Sequence, residues 1–315
     1  MKKWFIFTFF SLFYIGTSVA DVLDLNTALQ NTYRACVNID DDLHDMKVKA
    51  GINTAVTGVG TGVGIGAAAT GIVKAAKDKD IEELEKILKE IEENSAKYTG
   101  SEPTDADRQN FMTEYKNGYS AALKNKDTVQ KQIDDLTKKS KNLGNWRTGL
   151  MAANTATNIA GAAIAGTNKV SDDLQSQIDN CIQATKALNN AIMQAKMNGE
   201  DISEAKSIYE ACREYEYVDI SPINKRATGA MISSIVGAGV GLAGTVTSGV
   251  ANTDKTRNDN SEAGKKKEKD LNTASNVLAV GATAASATAT VFNATQIAAI
   301  KKVAKVSESC TGVLK

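Results

Sequence analysis

Four stretches of the chain carry no charged residue: 50–73, 148–168, 227–253 and 271–300. They run for 21 to 30 residues and consist mainly of Ala, Gly, Thr, Ser, Asn and β-branched apolar residues. Between them, apolar residues recur among charged ones in steps of three and four, the period of a helix. In the first connection Ile81, Leu84, Leu88, Ile91, Ser95 and Tyr98 keep this period. Tyr115, Tyr119, Ala122, Lys126, Val129, Ile133, Leu136, Ser140 and Leu143 take it up again after a break at Thr99–Pro103. The pattern predicts an antiparallel coiled-coil insertion over 74–147, its stripe spoiled only at Lys126 and Ser140. The second connection, 254–270, is short and polar and reads as a flexible loop. Only two prolines, Pro103 and Pro222, interrupt the chain, so long tracts are free to be helical and the expected fold class is all-α.

The chain also matches itself. Tyr33-Arg34-Ala35-Cys36 recurs as Tyr209-Glu210-Ala211-Cys212, and a basic residue then precedes an uncharged stretch in each case, Lys49 and Arg226. Gly62, Gly64 and Gly66 answer Gly237, Gly239 and Gly241 within one residue; Leu143, Leu150 and Cys181 answer Leu271, Leu278 and Cys310. This ordered series predicts an internal duplication, about 28–181 and 204–310. The expected organisation is a leader over 1–20 and two tandem antiparallel helical hairpins, 21–203 and 204–315. Asn198-Gly199 ends a helix between them, and Asp201 with Glu204 forms the capping box of the next.

Met1–Ala20 places two lysines, a run of large apolar residues and Ser18-Val19-Ala20 in the order of a secretory signal peptide,. Export to the cell envelope or beyond is therefore expected. In that setting four cysteines, Cys36, Cys181, Cys212 and Cys310, point to disulfides rather than metal ligands. Antiparallel helices bring both cysteines of a hairpin level, which favours Cys36–Cys181 with Cys212–Cys310. The other two pairings stay open, Cys36–Cys310 with Cys181–Cys212 foremost.

Glycine costs a helix about 1 kcal/mol relative to alanine, and the first stretch has seven of them. Close helix–helix packing is the physical way to recover that cost. Gly58, Gly62 and Gly66 form one small-residue ridge on a helix, a glycine-zipper pattern, and Ser233, Gly237 and Gly241 repeat it,. Each stretch is long enough for the ~20 residues that span a bilayer. Lys74, Lys77, Lys138, Lys139, Lys141, Arg147 and Lys265–Lys267 flank the connection side, and Trp146 stands where an interfacial anchor belongs,. Asn53, Asn154, Asn158, Asn276 and Asn293 weigh against insertion.

These features predict a non-enzymatic exported protein whose four Gly/Ala-rich helices pack together in or on a membrane, as an envelope scaffold or pore-like assembly. The alternative is a soluble periplasmic or secreted protein that meets a protein partner through the coiled-coil arm. Membrane lipid, a protein partner or further copies of the chain are the expected partners. A near-zero net charge gives no general pull toward nucleic acid,. His44, the only histidine, lies in an acid-rich helix start without a visible second ligand cluster,. Gly239-Val240-Gly241-Leu242-Ala243-Gly244 matches a dinucleotide fingerprint but lacks the βαβ continuation. No catalytic residue, cofactor, metal or small-molecule substrate is expected.

Overall fold

The computed structural model describes residues 24–97, 108–257, 259 and 261–314, with the side chains of 94–97 and 108–124 not among those described. The leader and the break at Thr99–Pro103 lie outside the described residues, as does Tyr98; at Ser95, Tyr115, Tyr119 and Ala122 only the backbone is described. Among the described residues there are helices and no strand. They are α1 (Leu25–Cys36), α2 (Ile39–Lys97), α3 (Arg108–Thr167), α4 (Asp172–Met197), α5 (Ser203–Cys212), a 3-10 turn (Arg213–Tyr217), α6 (Ser221–Ala251), α7 (Asp254–Arg257) and α8 (Glu262–Leu314). The chain is all-α.

Local chemistry sets the ends. The Asp24 carboxylate accepts from the Thr27 amide at 3.0 Å and starts α1,. The Ser171 hydroxyl accepts from the Leu174 amide at 3.1 Å and starts α4. Gly199 stops α4 in the left-handed region at φ 77°, and the Glu200 amide reaches back to the Ala195 carbonyl at 2.9 Å,. Two expectations are corrected here. Asp201 accepts from the Ser203 amide and hydroxyl at 3.0 and 2.7 Å, a local turn and not a capping box with Glu204,. The connection 254–270 is largely helical: it holds α7 and the first turns of α8, which the Asp259 carboxylate and Ser261 prepare by capping.

The described residues divide into two compact units. One collects the residues up to Asp42, Ser171–Val218 and those from Val303 onward. Its core is ordinary: Ala28, Ile39, Leu174, Ile178, Leu188, Ile192, Ile208, Tyr215 and Val303 are buried. All four cysteines are buried in it, bonded as Cys36–Cys181 and Cys212–Cys310. The two bridges are neighbours, since the sulfurs of Cys36, Cys212 and Cys310 lie within 4.8 Å of one another. As disulfide sulfurs they offer no thiolate to a metal.

The other unit, Leu43–Val170 with Asp219–Lys302, contains the uncharged lengths of α2, α3, α6 and α8. Helices that follow one another run antiparallel. Gly60 of α2 meets Asn154 and Thr157 of α3, while Asn168 at the end of α3 donates to the Met46 carbonyl of α2. Gly237 and Gly241 of α6 meet Asn158 and Thr155 of α3 in the opposite sense. Gly229 and Gly244 of α6 meet Phe292 and Leu278 of α8. Buried positions on α6 fall at Ile223, Ala227, Ala230, Ser234, Gly237, Gly241, Gly244, Ser248 and Ala251, alternating steps of four and three. The same alternation runs along α2 from Leu43 to Lys74.

Removing the Cys36–Cys181 bridge as C36S/C181S should lower the stability of the oxidised protein by about 2–5 kcal/mol, read from denaturant unfolding. A second expectation concerns Tyr215, whose phenol burial pushes up to about 12, while Ser307 beside it opposes and Asp40 adds to that shift. A phenol held neutral in the fold stabilises it fully below the unfolded value near 10 and loses that contribution as pH rises toward about 12,. Denaturation midpoints should fall across this window, and Tyr215→Phe should flatten the fall.

Candidate functional site

The candidate site is the seam along the middle of the long-helix unit. Within the uncharged lengths its buried residues, Met151 and Ile300 apart, are small or polar: Asn53, Thr57, Gly60, Gly64, Asn154, Asn158, Gly161, Ser234, Gly237, Ser275, Ser286, Asn293 and Gln296 among them. Ala67, Met151 and Ala279, with Leu150 and Leu278 against them, form one apolar layer. Polar layers lie on both sides of it. The Asn158 amide nitrogen donates to Asn154 Oδ1 at 2.9 Å and to Ser286 Oγ at 2.8 Å, and Ser286 donates to the Ala282 carbonyl at 3.0 Å. One layer further, Asn53 donates to Asn293 Oδ1 at 2.9 Å, and Asn293 donates to Thr57 Oγ1 at 3.3 Å. These amides face one another inside, so the asparagines that seemed to oppose insertion do not stand on the outer face.

Glycine makes the layers fit. A Cβ on Gly60 would stand 2.5 Å from Thr157 Oγ1, one on Gly237 2.8 Å from Asn158, and one on Gly241 2.6 Å from Thr155 Oγ1. Gly64 is filled in the same way by Thr283, and Gly71 by Asn276. Half of the expected ridge is therefore relocated. Gly237 and Gly241 face Asn158 and Thr155 of α3, and Ser233 is half-buried. On α2 the close-packed glycines are Gly60, Gly64 and Gly71; a Cβ on Gly58 or Gly62 would meet no neighbouring atom within 4 Å, and one on Gly66 would make only ordinary contact with Leu150 at 3.5 Å. At 3.6 residues per turn the two sets lie on opposite faces of α2, about 180° apart.

Lys74 and Arg147 also turn inward rather than flanking the stretches from outside. Arg147 is buried and donates through Nε to Ser248 Oγ at 3.1 Å, through Nη1 to Asn276 Oδ1 at 2.8 Å and through Nη2 to Asn272 Oδ1 at 3.0 Å. Its guanidinium ties α3 to α6 and α8 with neutral acceptors. Lys74 is buried one layer on, paired with Asp78 at 2.6 Å and facing Glu268 at 3.7 Å. Ser140 donates to the same Asp78, and Lys126 pairs with Glu92 at 2.8 Å. The two residues that spoil the apolar stripe thus serve polar contacts between α2 and α3. Lys141 holds Asp254 at 2.8 Å, which keeps that carboxyl below the usual range.

The outer face is the inverse of the seam. Val59, Ile65, Ile72, Ile159, Ile232, Ile235, Leu242, Val246, Val280 and Val291 are exposed, and Val277 is 67% exposed. The exposed polar side chains of the uncharged lengths are Thr167, Thr253, Thr273, Thr288 and Thr295. Each donates its hydroxyl to a carbonyl of its own helix or helix end, at 2.9–3.0 Å,. Trp146 is 70% exposed, on the residue before Arg147. Three helical segments, Leu25–Glu93 (α1 with most of α2), Ser221–Ala251 and Glu262–Leu314, are long and apolar enough to cross a membrane.

His44 is exposed on α2, and 239–244 lies within α6, so this glycine run follows a helix and not a strand. No known protein family, no curated protein and no solved structure matches the chain.

The seam generates a paired prediction. Gly237→Ala drives a methyl group into the Asn158 amide and should destabilise the protein by about 1–3 kcal/mol. Gly58→Ala meets open space and gains helix propensity, so it should stabilise by up to about 1 kcal/mol. Thermal unfolding of the two variants beside the parent decides whether the seam lies where described.

Proposed function

We propose that the long-helix unit is a bundle built for a lipid bilayer, in an exported, non-enzymatic protein that acts as an envelope scaffold or pore-like assembly. The observation that carries this reading is the inverted distribution of side chains in its uncharged lengths. Val, Ile and Leu face outward, amides and hydroxyls face inward, and the outward threonines satisfy themselves on their own helices. In water this costs the burial of each outward aliphatic group, about 1.5–3 kcal/mol apiece. In hydrocarbon the same face is at rest, and helices associate through small residues and interhelical hydrogen bonds. The cysteine unit supplies the contrast: Ile39, Leu174, Ile178, Leu188, Ile192 and Ile208 are inside, as suits a body in water,.

The duplication belongs to this proposal. Two related hairpins, α2 with α3 and α6 with α8, each contribute two uncharged lengths to the bundle, and each is closed by one of the two disulfides. The leader directs the chain out of the cytoplasm, where such bridges persist. The charged lengths over 74–147 form the coiled-coil extension of the first hairpin.

Trp146 provides the test, because it is the only tryptophan after the leader. Oxidised mature protein mixed with lipid vesicles should co-float, resist carbonate extraction, and show a blue-shifted Trp146 emission. Protein that stays in the soluble fraction with an unchanged spectrum would overturn the membrane reading and leave a soluble partner-binding protein in its place.

A further inference from the structure

We propose that Cys36 is an internal nucleophile for thiol–disulfide exchange. Once released from Cys181, its sulfur attacks the Cys212–Cys310 bridge and ties the first half of the chain to the second. All four cysteines belong to the cysteine unit, so this exchange does not depend on the membrane reading. The placement of the sulfurs carries it. Cys36 belongs to the first bridge, Cys212 and Cys310 to the second, yet these three sulfurs lie within 4.8 Å of one another. The Cys181 sulfur falls outside that group. The helix ends explain the asymmetry. Cys36 is the last residue of α1 and Cys212 the last of α5, each closing a Tyr-x-Ala-Cys tetrapeptide. Because α1 packs against both α4 and α5, the two ends meet, whereas Cys181 sits inside α4.

Exchange needs a thiolate and a disulfide that it can reach. All four cysteines are fully buried, which bars the second bridge to thiols in solution and leaves it open to the sulfur beside it. The position of α1 does not rest on its bridge alone: Thr32 donates to the Ala184 carbonyl of α4 at 3.3 Å, and Ala28 and Thr32 are buried. A dithiol reductant reaches the first bridge when α1 opens. The dithiol becomes a disulfide, and Cys36 and Cys181 become thiols. When α1 closes again, the Cys36 thiolate bonds to one sulfur of the second bridge and the Cys212–Cys310 bond breaks. The departing sulfur takes up the proton that Cys36 gave up, so this second step needs no oxidant. The chain thus answers a reductant by re-pairing, and the loss of one clamp becomes a link between its two halves.

The test compares two oxidised full-length variants, C181S and C36S, each with one free thiol. Both are unfolded in acidic denaturant containing N-ethylmaleimide, digested without reduction and mapped by mass spectrometry. C181S should show Cys36 bonded to Cys212 or Cys310 in a share at least about tenfold above the corresponding Cys181 links of C36S. C36S should keep the Cys212–Cys310 bridge alone. Equal cross-linking in both variants would mean scrambling in an opened chain and would overturn the proposal. An intact Cys212–Cys310 bridge in C181S, with Cys36 fully alkylated, would overturn it too. Circular dichroism checks that the variants stay helical. If C181S does not, the parent treated with limiting dithiothreitol decides. Cys36 bonded to Cys212 or Cys310 supports the exchange; only the two original bridges and their free thiols would sink it.

Discussion

The amide–hydroxyl layer of Asn154, Asn158 and Ser286 is the interaction on which the long-helix unit depends. Two asparagines one turn apart on α3 carry four donors and two carbonyl oxygens, and nothing apolar opposite them could satisfy these groups. Ser286 of α8 does so at 2.8 Å from the Asn158 nitrogen, and it can come that close because Gly60, Gly64 and Gly237 remove side chains from the facing helices. Polar pairing and glycine are thus one device. The glycines that would ruin an isolated helix let backbones approach, and the approach brings buried amides within reach of partners. A single misplacement by one residue would leave several polar groups unsatisfied, each at a cost of about 1–3 kcal/mol.

The same device explains how one chain holds two kinds of interior. Around the disulfides, Leu174, Ile178, Leu188 and Tyr215 are drawn inside by the ordinary apolar driving force,. In the uncharged lengths, volume is scarce inside and aliphatic groups are turned out. Arg147 marks the end of that regime. Its guanidinium collects Ser248, Asn272 and Asn276, and beyond it the interior becomes ionic at Lys74, Asp78 and Glu268.

Much of the architecture was legible from residue order. Helical class and the stop at Asn198-Gly199 follow from period and punctuation, which are local, and the hairpin spacing favoured the pairs Cys36–Cys181 and Cys212–Cys310 over the two other pairings. The inner face of α2 was not, and the reason is physical. Gly, Ala, Thr and Asn differ little in size, so the turn of the helix that points inward has no apolar stripe to announce it. Gly58-xxx-Gly62 and Gly60-xxx-Gly64 are equivalent as spacings; only Asn154 and Thr283, distant in the chain, distinguish them. Lys74 and Arg147 misled for a related reason. A basic residue at the edge of an uncharged run reads as a flank; Arg147 instead finds its acceptors on α6 and α8, and Lys74, paired with Asp78 on its own helix, faces Glu268 of α8.

The two disulfides turn the chain into two closed rings, with sequence separations of 145 and 98 residues. The first ring encloses all of α2 and α3, the second α6 and most of α8. A protease that cuts once inside either ring therefore releases nothing: the fragments remain one molecule until the bridge is reduced. A chain with this covalent layout can be nicked in its connections and still keep every long helix tethered to the cysteine unit.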